Sequence, residues 1–202
     1  PATCTETGTW SLATNGGVRR HGILCGYGSS SVSGPRTVIN GNICRNTTWT
    51  GIAKEGVSFG SVIISNNRCD LNGYAIGNTL AGGIYFNQSG NELIIGNIIT
   101  NFQNTVSGDT GAITVVANAG IATSSEIRSN KISGSAGYGI VLKTLSSYVT
   151  VDSNTTNNCV SSDIYWIPTP GVAAVGGHAI TNNVIIRNTG NIAPSILVDF
   201  QA

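Results

Sequence analysis

Residues 125–142, SEIRSNKISGSAGYGIVL, hold two short runs of alternating apolar and polar residues on either side of Asn130, then a glycine-rich bend and a third apolar run. Alternation with a period of two is typical of β-strands. The isoleucines of these short runs have nothing inside the stretch to pack against. The stretch therefore predicts a unit that folds only when further units stack on it.

Related segments recur along the whole chain. Aligned on Asn130, they are VINGNIC, IISNNRC, LIIGNII, EIRSNKI, TVDSNTT and AITNNVI, with an isoleucine or valine three residues before each shared asparagine. A second apolar run accompanies the units: GILC, GIAK, GIYF, AITV, GIVL, DIYW and SILV. The shared asparagines are Asn42, Asn67, Asn97, Asn130, Asn154 and Asn183.

Stacking such units coil upon coil places each residue over its equivalent, about 4.8 Å away. The isoleucines then form continuous apolar columns, and the shared asparagines form a ladder of amide hydrogen bonds. The pattern predicts an all-β fold, a right-handed parallel β-helix of about six to seven coils. A left-handed β-helix needs a strict six-residue period, which is absent, and a β-sandwich needs more hairpin turns than the single well-placed Asn72-Gly73.

Composition fits one such domain over residues 1–202, with an entry segment at 1–21 and repeating coils at 22–198. Only 9% of the residues are charged and the formal net charge is +1, which argues against nucleic acid as a partner. No apolar run is long enough to insert into a membrane. Met is absent and the chain starts at Pro1, so we expect a fragment of a longer protein. The five cysteines are expected to be buried thiols, since neither a disulfide pattern nor a metal-binding spacing is visible.

These repeats resemble the right-handed parallel β-helix superfamily, which includes pectate lyases, polygalacturonases, alginate epimerases and bacteriophage tailspike depolymerases. The resemblance covers about 22–198, and VINGNICRN with the unpaired cysteines is most similar to a tailspike. It implies a homotrimer, located extracellularly or on the virion tail, that recognises bacterial capsule or lipopolysaccharide. The N-T-D, D-D, G-H-G and R-I-K signatures of polygalacturonases are absent, as is a calcium-binding acidic cluster, so no metal or cofactor is predicted.

Several charged residues have a structural explanation once the coils are stacked. Arg128 is expected opposite Asp152, and Arg45 opposite Asp70, as cross-strand pairs of about 0.2–1 kcal/mol. Arg68 and Lys131 are expected to be solvated positions in one outward column, with Ile98 between them. Glu92 and Glu126 are expected to be exposed, and His21 and His178 to be surface or capping residues too far apart to act together.

The remaining carboxylates are the catalytic candidates: Glu55, Asp109 and Asp163. Glycoside hydrolysis needs two carboxyl groups about 5–9.5 Å apart. No two of the three share a column on adjacent coils, so the pattern leaves paired catalysis unproven. Longer coils carry insertions, for example near 102–111, where a binding face is expected.

Aromatic residues are the candidates for sugar binding. In the second apolar run, the residue after each isoleucine is expected to face outward, which places Tyr85 and Tyr165 either against sugar rings or in a subunit contact. Trp49, Phe102 and Tyr138 fall in bends or insertions and are further candidates for substrate binding.

Three functional classes follow. The first is recognition, with or without depolymerisation, of a bacterial surface polysaccharide by a tailspike-like β-helix. The second is a secreted microbial polysaccharide lyase, hydrolase or epimerase. The third is a non-catalytic adhesin or fibre shaft, because a fold by itself does not establish chemistry.

Overall fold

The fold is built entirely from short strands. A computed structural model describes residues 21–25, 37–47, 49–54, 61–70, 72, 82–87, 92–103, 110–116, 124–144, 148–168, 178–188 and 190–199. Within these ranges the strands are β1 (His21–Cys25), β2 (Thr37–Asn40), β3 (Ile43–Arg45), β4 (Thr50–Lys54), β5 (Val62–Ser65), β6 (Arg68–Asp70), β7 (Gly82–Asn87), β8 (Glu92–Ile95), β9 (Ile98–Thr100), β10 (Gly111–Val116), β11 (Ser124–Arg128), β12 (Lys131–Ser133), β13 (Tyr138–Thr144), β14 (Tyr148–Asp152), β15 (Thr155–Asn157), β16 (Ile164–Pro168), β17 (Ala179–Thr181), β18 (Val184–Ile186) and β19 (Ile196–Val198).

The strands form three parallel sheets, each made of every third strand. Sheet A has the order β1-β4-β7-β10-β13-β16-β19, sheet B β17-β14-β11-β8-β5-β2 and sheet C β18-β15-β12-β9-β6-β3. Six successive sets of three strands, followed by β19, therefore wind along one axis. The chain folds as a parallel β-helix, as the repeat predicts, while its right-handed sense stays a prediction.

The interior is made of the predicted apolar columns. In sheet B, Ile39, Ile64, Ile94 and Ile127 are 0–6% exposed, and in sheet A the isoleucines from Ile52 to Ile164 are fully buried. Register is continuous, since Ile84 pairs with Ile113 and Ile113 with Ile140. Inward side chains of all three sheets form a single apolar cluster. Burial of these columns, at about 25 cal/mol per Å² of apolar surface, drives the coils together.

The shared asparagines form the predicted ladder. Asn97 shows the pattern: its Oδ1 accepts hydrogen bonds from the Asn67 backbone N–H at 2.9 Å and from Asn67 Nδ2 at 3.0 Å. Its Nδ2 donates to Asn130 Oδ1 at 3.0 Å and to the Ile64 carbonyl at 2.9 Å. Equivalent bonds join every coil to the next from Asn42 to Asn183. From Asn67 to Asn154, each buried amide is thereby satisfied from the coil on either side, which fixes the register of the stack.

Bends in the left-handed region shape the coils at two positions. The residue before the ladder asparagine has a positive φ in every described coil: Gly41, Asn66, Gly96, Ser129, Ser153 and Asn182. The residue four positions after the ladder asparagine does the same in four coils: Asn46, Asn101, Gly134 and Asn158. Glycine and asparagine tolerate this conformation best, which explains why small and amide side chains fill both columns.

The cysteines agree with the expectation of buried thiols where they are described. Cys44 and Cys69 are neighbours in the inward column of sheet C, and both are buried thiols that form no disulfide. Cys159 is also a buried thiol of this kind. Cys4 lies outside the described residues, and nothing is described of the Cys25 side chain.

Candidate functional site

The three catalytic candidates are not brought together among the described residues. Glu55 and Asp109 both lie outside the described ranges. Asp163, directly before β16, is fully buried. The catalytic assignment of all three stays a prediction.

Asp163 forms an ion pair inside the β-helix. Its Oδ2 accepts a hydrogen bond from Arg187 Nε at 2.5 Å, while its Oδ1 is buried without a hydrogen-bond partner. The Arg187 guanidinium also donates to the carbonyls of Ser161 at 2.9 Å, Pro194 at 3.1 Å and Ala193. In this arrangement the carboxylate contacts a guanidinium instead of solvent. The pair also links the segment before β19 to the preceding coil.

Cys159 lies beside this pair. Burial first, and the neighbouring Asp163 carboxylate second, raise the pKa of the Cys159 thiol to about 12. The thiolate is the nucleophilic form of cysteine. Cys159 therefore stays protonated at neutral pH and acts as a small core side chain.

The residue after each isoleucine of sheet A was expected to face outward. The exposure implied by that expectation is wrong for most of these residues. Alternation does place these residues in register with one another, since Tyr85 pairs with Ala53 and Thr114, and Tyr165 with Val141. Yet all of them are only 0–6% exposed: Ala53, Tyr85, Thr114, Val141 and Tyr165. A period of two tells which face a residue occupies, but it does not tell whether that face is covered.

The other aromatic candidates occupy different environments. Phe102 is 1% exposed and belongs to the apolar core. Tyr138 is half-buried and its ring stacks on Tyr165, with ring centroids 4.5 Å apart. The Tyr165 hydroxyl donates to Asp199 Oδ2 at 2.9 Å, and Trp49 is half-buried just before β4. Sugar binding by any of these side chains stays a prediction.

An exposed line of residues lies on the outer face of sheet C. We call the first outward residue of each strand in this sheet the sheet C strip: Ile43, Arg68, Ile98, Lys131, Thr155 and Val184. The strip is straight and in register, since Arg68 pairs with Ile98 and Ile98 with Lys131, as predicted. Ile43, Ile98 and Val184 are 37–54% exposed, and both cations are exposed.

A row of polar groups borders the strip. The left-handed bends between sheets B and C expose Asn66, Ser129, Ser153 and Asn182, and Asn40 is exposed beside them. We call these five residues the polar corner. Some of their bonds run along the surface, for example from Asn66 Nδ2 to Asn40 Oδ1 at 3.1 Å. The strip and the corner together present amides, hydroxyls, cations and aliphatic side chains, one strand spacing apart.

Four cations lie on or beside this surface, and two of them are paired. Arg45 Nε lies 3.9 Å from Asp70 Oδ2, as predicted from the stacking. Arg128 is opposite Asp152, also as predicted, and its Nη1 lies 3.6 Å from Glu126 Oε2. Hydrogen bonds from Thr181, Ser153 and Asn182, and then the charge of Arg128, lower the pKa of Asp152.

The other two cations have no carboxylate within ion-pair distance among the described residues. These are Arg68 and Lys131, the two charged members of the sheet C strip. They stand two strands apart with Ile98 between them, which corresponds to about 10 Å. The surface therefore carries two cations that are open to an anionic ligand.

The sequence prediction missed the environments of two charged residues, Glu92 and Arg187. Glu92 was expected to be exposed but is 5% exposed, and its Oε2 accepts a hydrogen bond from Ser125 Oγ. Arg187 was not singled out, although it occupies the position that Asn46, Asn101 and Asn158 fill in other coils.

His178 is a partly buried residue of the last complete coil. Its Nδ1 accepts a hydrogen bond from the Val149 backbone N–H at 3.2 Å, and its ring centroid lies 4.5 Å from that of Trp166. Burial lowers the pKa of His178 below its ordinary value of 6.5. The folded protein thus favours the neutral imidazole, which is also the form that accepts the Val149 bond.

This arrangement predicts a pH dependence of stability. As pH falls below about 6.5, the unfolded chain binds a proton at this histidine before the folded protein does, so the free energy of unfolding decreases until the lower folded pKa is passed. Urea unfolding of the wild type and of His178→Gln at pH 8 and pH 5 measures the effect. We expect the wild type to lose more stability than the variant on acidification. Identical losses would contradict the assignment.

Comparison with models of known protein families, with curated proteins and with solved structures found no match. No helix long and apolar enough to cross a membrane occurs in the described ranges. Within the same ranges, no group of three or more histidine, cysteine, aspartate or glutamate side chains is arranged to hold a metal ion.

Proposed function

We propose that this protein recognises an extended bacterial surface polysaccharide along the sheet C strip and the polar corner. The observation that carries the proposal is the in-register outer line of sheet C with exposed amides and hydroxyls beside it, which combines polar groups with aliphatic side chains at one strand spacing. A polysaccharide is itself a linear repeat of hydroxyl groups and apolar C–H faces. Exposed polar groups can bond to its hydroxyls, while Ile43 and Ile98 offer apolar contacts to its rings.

The resemblance to phage tailspikes supports the same proposal and adds three elements to it. They are a location on the virion tail or outside the cell, a homotrimeric assembly and the option of depolymerisation. Apolar surface outside the strip at the last coils, at Ile186 and Ile196, is 45–48% exposed, which suits a subunit contact.

A binding function without cleavage is the second candidate. It is favoured by Asp163, whose carboxylate is buried and occupied by Arg187. A general acid or nucleophile must reach the glycosidic bond. On this view the β-helix is a receptor-binding shaft, and its surface holds the polymer without breaking it.

A binding experiment tests the proposal. Purified capsular polysaccharides and lipopolysaccharides, immobilised as an array, are probed with the wild-type protein, with Ile98→Ser and with Ile192→Ser. Ile98→Ser is expected to bind about fivefold more weakly, because it removes about 1 kcal/mol of apolar contact from the strip. Ile192 is 98% exposed and off the strip, so its variant is the matched control and should bind like the wild type.

The same samples separate the functional classes. New reducing ends after incubation indicate a hydrolase, unsaturated products indicate a lyase, and binding without either indicates the non-catalytic class. A folded, monodisperse protein that binds no polysaccharide on the array would overturn the proposed function. Equal weakening by both variants would move the binding site away from the strip.

A further inference from the structure

The two open cations of the sheet C strip carry an inference about the ligand. We infer that the polysaccharide is an acidic one whose carboxylate groups are bound by Arg68 and Lys131; this rests on the proposed function and names the class of its ligand. The inference begins from the difference between the two kinds of cation on this surface. Arg45 and Arg128 each have a carboxylate within 3.9 Å, while Arg68 and Lys131 have none among the described residues.

The positions of Arg68 and Lys131 are fixed by the fold. Both are the first outward residue of a sheet C strand, on β6 and β12, and both pair with Ile98 on β9. The backbone before each strand is held by the buried asparagines Asn67 and Asn130, which belong to the ladder. The two charges are thereby kept on one line at about 10 Å, twice the strand spacing.

This geometry suits a polymer with an acid on alternate sugars. One carboxylate meets the Arg68 guanidinium, which can bind it with two parallel hydrogen bonds. The next acid along the chain meets the Lys131 ammonium. Ile98, 42% exposed, lies under the neutral sugar between them.

A second copy of this protein fits the strip less well. Facing the same strip across a symmetric contact would bring Arg68 and Lys131 near cations of the same kind, which repel each other. The described carboxylates nearest the strip are Asp70, Asp152 and Glu126, and each already contacts Arg45 or Arg128, or receives side-chain hydrogen bonds. An acidic ligand supplies the carboxylates that Arg68 and Lys131 lack among the described residues.

The test compares acidic polymers with their own neutral esters. Hyaluronate carries an acid on alternate sugars, as the inference requires, whereas polygalacturonate and alginate carry one on every sugar. Each polymer is used as the free acid and as the full methyl ester, which keeps the sugar chain and removes the charge. The wild-type protein is expected to bind at least one free acid about tenfold more tightly than its ester. Binding to that acid is expected to weaken when sodium chloride is raised, because exposed charges are screened.

Variants assign the effect to the strip. Arg68→Gln and Lys131→Gln are each expected to weaken binding of the acid about fivefold, and the double variant about 25-fold. Arg128→Gln removes the same charge from a paired residue in the neighbouring column and should change binding less than about twofold. None of these three substitutions changes a core residue. Melting temperature and particle size are measured for every variant.

The outcomes distinguish the inference from the proposed function. If acids and esters bind alike, or if Arg68→Gln and Lys131→Gln bind like Arg128→Gln, the inference is overturned; Ile98→Ser then still reports on the proposed function. If neither these polymers nor the array of bacterial polysaccharides binds, both are overturned. A change of oligomeric state in the Arg68 and Lys131 variants would identify the strip as a subunit contact and overturn the inference.

Discussion

Replacing Asn97 by alanine is expected to lower the free energy of unfolding by about 4 kcal/mol, measured by urea titration. The change deletes the acceptor of the Asn67 backbone N–H and of Asn67 Nδ2, which stay buried. It also removes a donor from Asn130 Oδ1 and one from the Ile64 carbonyl. Each buried group left unsatisfied costs about 1–3 kcal/mol, so several losses at one position add to a large effect.

Asn66 provides the matched control. It precedes Asn67 directly but is exposed, with a φ of 54° in a column that glycine fills in two other coils. Asn66→Gly is therefore expected to stay within about 0.5 kcal/mol of the wild type. If Asn97→Ala is no more destabilising than Asn66→Gly, the ladder does not hold the coils in register.

Replacing Arg187 by methionine is expected to cost about 3–5 kcal/mol, because it leaves the Asp163 carboxylate buried and uncompensated. The second substitution Asp163→Asn removes that charge and should restore part of the loss. The two single variants and the double variant form a cycle whose coupling energy reports the pair itself. Additive effects in the cycle would show that Asp163 and Arg187 do not act together.

An exposed pair is the control for this second prediction. Arg45 is about half exposed, and its Nε lies 3.9 Å from Asp70 Oδ2, so Arg45→Met is expected to cost less than about 1 kcal/mol. The contrast between the two methionine variants isolates burial as the cause. Equal destabilisation by both variants would contradict that explanation.

Much of the fold was predictable because its repeat uses the same few residue types at the same positions. An isoleucine three residues before each shared asparagine identifies the inward column, and the asparagine identifies the ladder. Cross-strand pairs such as Arg45 with Asp70 followed from the same alignment. The second left-handed bend, at Asn46, Asn101, Gly134 and Asn158, lies four residues after the shared asparagine, beyond the aligned segments, and was not recognised.

The candidate surface was harder to predict because burial depends on what covers a face. Tyr85 and Tyr165 were placed on the correct line of residues, yet they are 3% and 6% exposed. Arg187 reaches Asp163 from 24 residues further along the chain, through a contact between coils that no local pattern encodes. The open cations Arg68 and Lys131 were predicted in their column, but their lack of a carboxylate emerged only from the packing of their neighbours.

The asparagine ladder has a consequence for how such a protein changes over evolutionary time. Every inner rung, from Asn67 to Asn154, receives the same bonds from one side and makes the same bonds to the other. A whole coil can therefore be duplicated or removed between two rungs, and the exposed bonding groups at the junction still match. The fold specifies the cross-section of this molecule and leaves its length free to vary by whole turns.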